Sequence, residues 1–336
     1  MLPRANRAAR SRITRYGRFA EDGREYIITD PRPPRPWCNV ISNRRLGLAV
    51  SHTGSGFTWI DNSQLAVITR WEQDLARDSS GKFLYVRDED ADAIWSLSPA
   101  PVWSADATYA CRHGLGYTTF ECCARSIRAR WTLYCHATDT IELWSVALEN
   151  LSDRPRTLEL TALLEWCCGV APSPRREFHK LFIETEYDVH DGVVYARNHM
   201  WDVPNPRFGH WNTDFPYVAG LACSAPVTDA TGDKVAFLGR YASFAAPVAL
   251  RDERWSPQFG RHDDPIAALR SRITIQPGQT ERIVYGLAVG ETHARCRELV
   301  DAHVSPPAAE AALEEVTSEW RARLDAHRVE TPDDSI

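Results

Sequence analysis

From Tyr16 to Gly290 apolar and polar positions alternate with period two in one short segment after another. Glu25–Thr29, Leu46–Val50, Phe83–Val86, Arg128–Tyr134, Ile141–Leu148 and Thr157–Glu165 each put their apolar side chains on one face of an extended chain. Lys180–Glu186, Val193–Ala196, Val235–Leu238, Ser271–Ile275 and Ile283–Val289 continue the pattern. These segments read as half-buried antiparallel strands. Turn-forming clusters punctuate them at Glu21–Gly23, Asn150–Pro155, His190–Gly192 and Gln276–Gly278. The cluster Asn150–Pro155 predicts a hairpin between Ile141–Leu148 and Thr157–Glu165, and Gln276–Gly278 predicts a second within Ser271–Val289. So many strands at short spacing predict a mainly β fold, a large antiparallel sandwich.

The period changes to that of a helix only near the end. Ala294, Cys296, Leu299 and Val300 share one face of a short helix over Glu291–His303. After Pro306 and Pro307, Leu313, Val316, Trp320 and Leu324 form the apolar stripe of a second helix, which needs a partner surface. Glu314, Glu315, Glu319, Arg321 and Arg323 fall on its solvated face. The chain therefore divides into a basic, disordered stretch over 1–15, a β domain over 16–290 and a helical segment over 291–336.

Composition narrows the function. With 336 residues, 43% apolar, the chain can bury a large core. A net charge of −6 argues against a dedicated nucleic-acid binder. The arginine-rich start has no apolar h-region of a secretory signal, and no stretch approaches the ~18 apolar residues of a membrane span. A cytoplasmic location is expected. The nine cysteines, at 38, 111, 122, 123, 135, 167, 168, 223 and 296, lack C-x-x-C spacing. The vicinal pairs 122/123 and 167/168 point to opposite faces of a strand, so free thiols are expected in place of a disulfide framework or zinc site.

Candidate chemistry is sparse. Asp88, Glu89 and Asp90 are consecutive, splay apart on an extended chain, and read as a turn or an arginine-pairing motif rather than a catalytic pair. His262, Asp263, Asp264 and His210 are spaced poorly for tetrahedral coordination, so no metal site is expected. Gly54–Gly56 and Gly114–Gly116 are turns or bulges, not a phosphate-binding loop. Trp131 and Trp144 sit at core-facing strand positions. Trp201, His210 and Trp211, in a proline-broken stretch ending at Pro216, are the better candidates for stacking on sugar.

The order and spacing of Tyr16–Phe19, Arg24–Ile27, Pro34–Trp37, Asn43, Gly54–Trp59, Ile68–Arg70, Tyr85–Asp90 and Trp95–Ser96 resemble the amino-terminal region of the glycoside hydrolase family 94 phosphorylases, the cellobiose phosphorylase-like enzymes. Cys111–Thr118, Glu142–Glu165, Asp233–Gly239 and Gln276–Gly278 extend the resemblance. It implies a β-supersandwich like the galactose mutarotase domains, two linker helices, and then an (α/α)6 barrel that Thr331–Asp333 would enter. In the family that barrel supplies the catalytic aspartate, so the resemblance implies no catalytic residue in this chain, which would be a truncated product or one part of a split enzyme. The co-substrate would be inorganic phosphate, with no other cofactor, and the product from a β-linked glucoside would be α-glucose 1-phosphate.

The resemblance also implies a site. In these enzymes a loop crosses a dimer to the acceptor subsite, carrying an Asn-Phe-Gln-Arg sequence whose end residues touch sugar; Ser173, Pro174, Arg175 and Arg176 fall on those positions here. Two guanidinium forks in place of one suit an acceptor with a carboxylate, such as an aldonic acid. The expected substrate-binding residues are thus Ser173, Arg175, Arg176, Trp201 and Trp211. The expected partners are an oligosaccharide or glucosyl aldonic acid and a second copy or a barrel-bearing chain, with no nucleic acid and no membrane. A stand-alone carbohydrate-binding or regulatory module is the competing expectation.

Overall fold

A computed structural model describes residues 14–326 apart from 206 and 208, and the side chains of His210 and Trp211 are outside the described part. Residues 1–13 and the segment Thr331–Asp333 are likewise outside it. The fold is mainly antiparallel β, two large sheets packed face to face, with helices against the outside of one.

The first sheet has 11 strands in the order Gly17–Phe19, Glu25–Ile28, Ala107–Gly114, Tyr117–Ala124, Ile127–Cys135, Ile141–Asn150, Thr280–Gly290, Val218–Cys223, Val193–Asn198, Ile183–Asp188 and Gly260–Arg261. The second has nine and is forked. Val227–Asp233 and Pro265–Ile275 lead to the long strand Arg156–Gly169, whose first part pairs with Phe83–Asp88, itself paired with Ala93–Ser96, and whose end pairs with Val67–Thr69. From Val67–Thr69 the sheet runs on through Gly56–Ile60 and Leu46–Ser51 to Cys38–Ser42. The fork sits where Arg156–Gly169 shifts register, at a bulge in which Cys168 takes a φ of 42°.

Trp95, Trp131, Trp144 and Trp166 fill the space between the sheets with leucine, isoleucine and valine from both. The expected half-burial of the strands holds only locally, because both outer faces are also covered. Tyr134, Leu143, Val284 and Ala288 pack under the helices His293–His303 and Pro306–Asp325 through Cys296, Leu299, Ala312 and Val316. Phe83, Tyr85 and Leu163 lie under Phe237, Leu250 and Trp255. A strand covered on both sides loses its polar alternation.

Both predicted hairpins are corrected. Ile141–Asn150 and Arg156–Gly169 lie in different sheets and do not pair, and the same holds for Pro265–Ile275 and Thr280–Gly290. The two long segments pair with each other instead, Ile141–Asn150 with Thr280–Gly290 and Arg156–Gly169 with Pro265–Ile275, as one ribbon folded over at its middle. Buried Asn150 pins the fold: its side-chain amide donates to the carbonyls of Ile275 (2.9 Å) and Arg154 (2.8 Å), and its backbone bonds Gln279 and Gly278. The strand expected at Val235–Leu238 is the helix Lys234–Leu238, because the Asp233 carboxylate caps it at the Val235 amide, 2.8 Å away. The stretch expected as a loop after Trp201 is a two-stranded hairpin, Trp201–Asn205 with Gly209–Thr213.

Candidate functional site

The segment after the bulge leaves the sandwich at one end and is tied down at several points. The Ala171 amide donates to the Gln64 carbonyl at 2.7 Å, and the Arg176 amide closes a turn on the Ser173 carbonyl at 2.8 Å. A short 3-10 helix, Glu177–Phe182, follows. Arg70, just past Val67–Thr69, donates from Nη2 to Glu177 (3.0 Å) and Glu72 (2.5 Å). These contacts hold the Arg70 guanidinium pKa above its ordinary value against the cost of burial. Lys180 reaches Asp264 at 2.5 Å, so the 3-10 helix is anchored at both ends.

The hairpin at Trp201 packs beside this loop. Trp201 donates its indole N–H to the Leu65 carbonyl at 2.6 Å and meets the Phe215 ring edge-on at 5.7 Å. Arg176 Nε lies 3.4 Å from Asp202 Oδ2 on the same hairpin. The structure thus brings Ser173, Arg175, Arg176 and Trp201 together at one end of the molecule. Trp211 pairs through its backbone with Val203. The four residues do not play equal parts. Arg176 is partly buried and engaged by a carboxylate, whereas Arg175 is exposed and makes no ion pair among the described residues. Around them Phe178, Leu181 and Phe182 expose apolar surface, and His179 is buried, which pushes its pKa down.

The other candidates are engaged in structure. Asp88 is buried against Arg156, Glu89 takes a bidentate pair from Arg272 at 2.5 and 2.7 Å, and Asp90 accepts from Arg154 at 2.5 Å. Of the His262–Asp264 run, Asp264 serves Lys180. Sequence reasoning missed one close grouping of metal-ligand types, His136, Asp139 and His303, with ligand atoms within 4.8 Å of one another. His136 and Asp139 are already engaged. His136 Nδ1 accepts the amides of Thr138 and Asp139, and Asp139 is shared between His303 (2.8 Å) and Arg295 (3.0 Å), so the group is a polar staple rather than a cation cradle.

Two asparagines, one of them Asn43 of the resemblance motifs, are also staples. Asn39 donates to Gly114, Tyr117 and Thr118, and Asn43 to the carbonyls of His136 and Asp139, each joining the edge of the second sheet to the first. Arg70, Glu177, Lys180 and Asp202 were missed as a network. Arg70 stands in a resemblance motif, but its partner 107 residues away gives no local signal.

Residues 24–306 match the family described as glycosyl hydrolase 94, supersandwich domain. The chain belongs to glycosyl hydrolase family 94. It is 28% identical over 326 residues to an N,N'-diacetylchitobiose phosphorylase of Vibrio proteolyticus, covering 96% of this chain and 39% of that one. A solabiose phosphorylase of Paenibacillus borealis is 28% identical over 322 residues (94% of this chain, 40% of the relative). A 3-O-β-D-glucopyranosyl-β-D-glucuronide phosphorylase of the same organism is 26% identical over 329 residues (97% and 40%). The chain spans about two fifths of the length of these relatives. Among the described residues of this supersandwich no helix is long and apolar enough to cross a membrane.

Proposed function

We propose that this supersandwich serves an inverting glycoside phosphorylase as a scaffold and acceptor-binding module. In that reaction a carboxylic acid protonates the glycosidic oxygen while inorganic phosphate attacks the anomeric carbon from the opposite face, in the place water takes in inverting hydrolases. Phosphate is its own nucleophile, so a single enzyme carboxyl suffices. We assign that acid to the part of the relatives' length that this chain does not match. The 173–176 loop supplies acceptor contacts, and the apolar rim of Phe178, Leu181 and Phe182 suits burial against a second copy, which would carry the loop to a neighbouring site.

The observation that carries this reading is the contrast within the loop. The backbone is fixed by Arg70 and Lys180, Arg176 is neutralised by Asp202, and Arg175 presents an unshared guanidinium to solvent. An unshared guanidinium fork on a fixed backbone favours a planar anion, so the acceptor we propose is a sugar acid with a β-linked glucosyl partner. One relative is named for a glucuronide, which carries such a group; the others are named for diacetylchitobiose and solabiose. Calorimetric titration with gluconate and with glucose tests the assignment. Gluconate should bind at least about tenfold more tightly, and Arg175→Gln should remove the difference, a loss of about 1.4 kcal/mol. Equal affinity for the two sugars, or an unchanged preference in Arg175→Gln, would contradict it.

A further inference from the structure

The outer face of the 11-stranded sheet holds a second cluster of unshared cations, far in sequence from the loop. Register sets it. Arg130 stands opposite Ala147, and Ala147 stands opposite Arg282, so two arginines flank a small side chain in one row across three strands. Adjacent strands lie ~4.8 Å apart, which separates the arginine backbones by about 10 Å and lets both side chains lean over Ala147. Like charges in one row are unfavourable unless an opposite charge lies between them. The next row follows the ordinary rule, with Arg128 donating to Glu149 at 2.8 Å. On its other side Arg130 faces Glu121, but Arg112 holds that carboxylate at 2.9 Å.

Helix Pro306–Asp325 roofs this row and encloses a groove of about 490 Å³, a size usual for small-molecule sites. It adds Arg321, and it also brings Glu310 and Glu314. None of the three arginines makes an ion pair within 4 Å among the described residues, so three guanidinium groups face two carboxylates. The floor continues as a row of hydroxyls, Thr119, Thr132 and Ser145. Thr119 and Thr132 bond each other at 2.9 Å, which leaves half-buried Ser145 with a hydroxyl for a ligand oxygen.

We infer that Arg130, Arg282 and Arg321, over Ala147 and beside Ser145, form a binding site for an oxyanion, a phosphate or carboxylate group on a small polar molecule. The site is separate from the 173–176 loop and stands whether or not that loop binds an acceptor. Guanidinium groups from three elements can each give two parallel hydrogen bonds to such a group, and the excess positive charge selects anions over neutral sugars.

The test is calorimetric titration of the whole chain with inorganic phosphate, α-glucose 1-phosphate, gluconate and glucose. Wild type, Arg130→Gln/Arg282→Gln and Arg175→Gln are compared, and thermal unfolding checks that each is folded. At least one anion should bind with a Kd below about 1 mM, weaken as salt is raised, and lose at least tenfold affinity in the double variant but none in Arg175→Gln. Binding of both phosphates would assign the phosphate group as the ligand, and gluconate binding that the double variant loses but Arg175→Gln keeps would assign the carboxylate. No anion binding in this range, binding equal to that of glucose, or an unaffected double variant would overturn the site.

Discussion

The core between the sheets holds a charged pair. Lys82 and Glu142 are both fully buried between the sheets, with Nζ 2.6 Å from Oε1. Trp144 Nε1 donates to the same carboxylate at 2.7 Å, and Thr58 bonds both members. A buried pair with every polar atom satisfied is tolerated, but removing one partner strands the other. Lys82→Met should therefore lower unfolding free energy by about 3–5 kcal/mol, and adding Glu142→Gln should restore much of it, as read from denaturant midpoints; a single variant within about 1 kcal/mol of wild type would contradict this. Half of the feature was legible: Glu142 shares strand parity with Trp144, which places an acid on the core side. The partner was not, because Lys82 lies 60 residues away with no local pattern pointing across the sheets.

A second residue ties stability to pH. His113 is largely buried but not closed off from solvent, and its Nε2 lies 2.9 Å from the Trp37 carbonyl, which can only accept, so Nε2 carries the proton and Nδ1 accepts from Thr118 Oγ at 3.0 Å. Burial pushes its pKa down to about 4. The unfolded chain therefore binds a proton near pH 6.5 that the folded one refuses. Its stabilising contribution is complete above pH 6.5 and is lost as pH falls toward 4, by about 3 kcal/mol in all. His113→Gln should flatten the pH dependence of the urea midpoint in that window. An unchanged slope would show that other groups set it.

At the scale of elements, existence was easier to read than pairing. Period-two alternation located the long strands and the 3.6 period located both closing helices, because each reflects one face turned to a core. The two turns at Asn150–Pro155 and Gln276–Gly278 were read as hairpins because turn chemistry is local, whereas the sheet each arm joins is decided by distant partners. Here both corners pass from one sheet to the other, and Asn150 is the clasp between them. Asn150→Ala would take its donor from the buried Ile275 carbonyl and loosen the turn at Arg154, whose carbonyl keeps the Ser152 hydroxyl at 3.1 Å, and should cost about 2 kcal/mol. Amide exchange should quicken at 150–156 and 275–280 before it does elsewhere; exchange confined to other segments would argue against the clasp. The helix at Lys234 escaped because only four apolar-leaning residues follow its cap, too few to show a period.

For the whole molecule, the resemblance motifs led to the family, and the supersandwich match over residues 24–306 agrees with them. The candidate site was legible only in part. Arg175 and Arg176 could be located from the sequence, but their different states depend on Asp202 arriving from the hairpin, which pattern alone does not show. The central claim is that this sandwich positions substrate and leaves the proton transfer to another part of the enzyme. The most direct measurement is phosphate release from α-glucose 1-phosphate by the purified 336-residue chain with gluconate or glucose as acceptor. The account predicts no turnover from the chain alone and release once a barrel-bearing family 94 polypeptide is added. Release by the chain alone would place a catalytic carboxyl within the sandwich and contradict it.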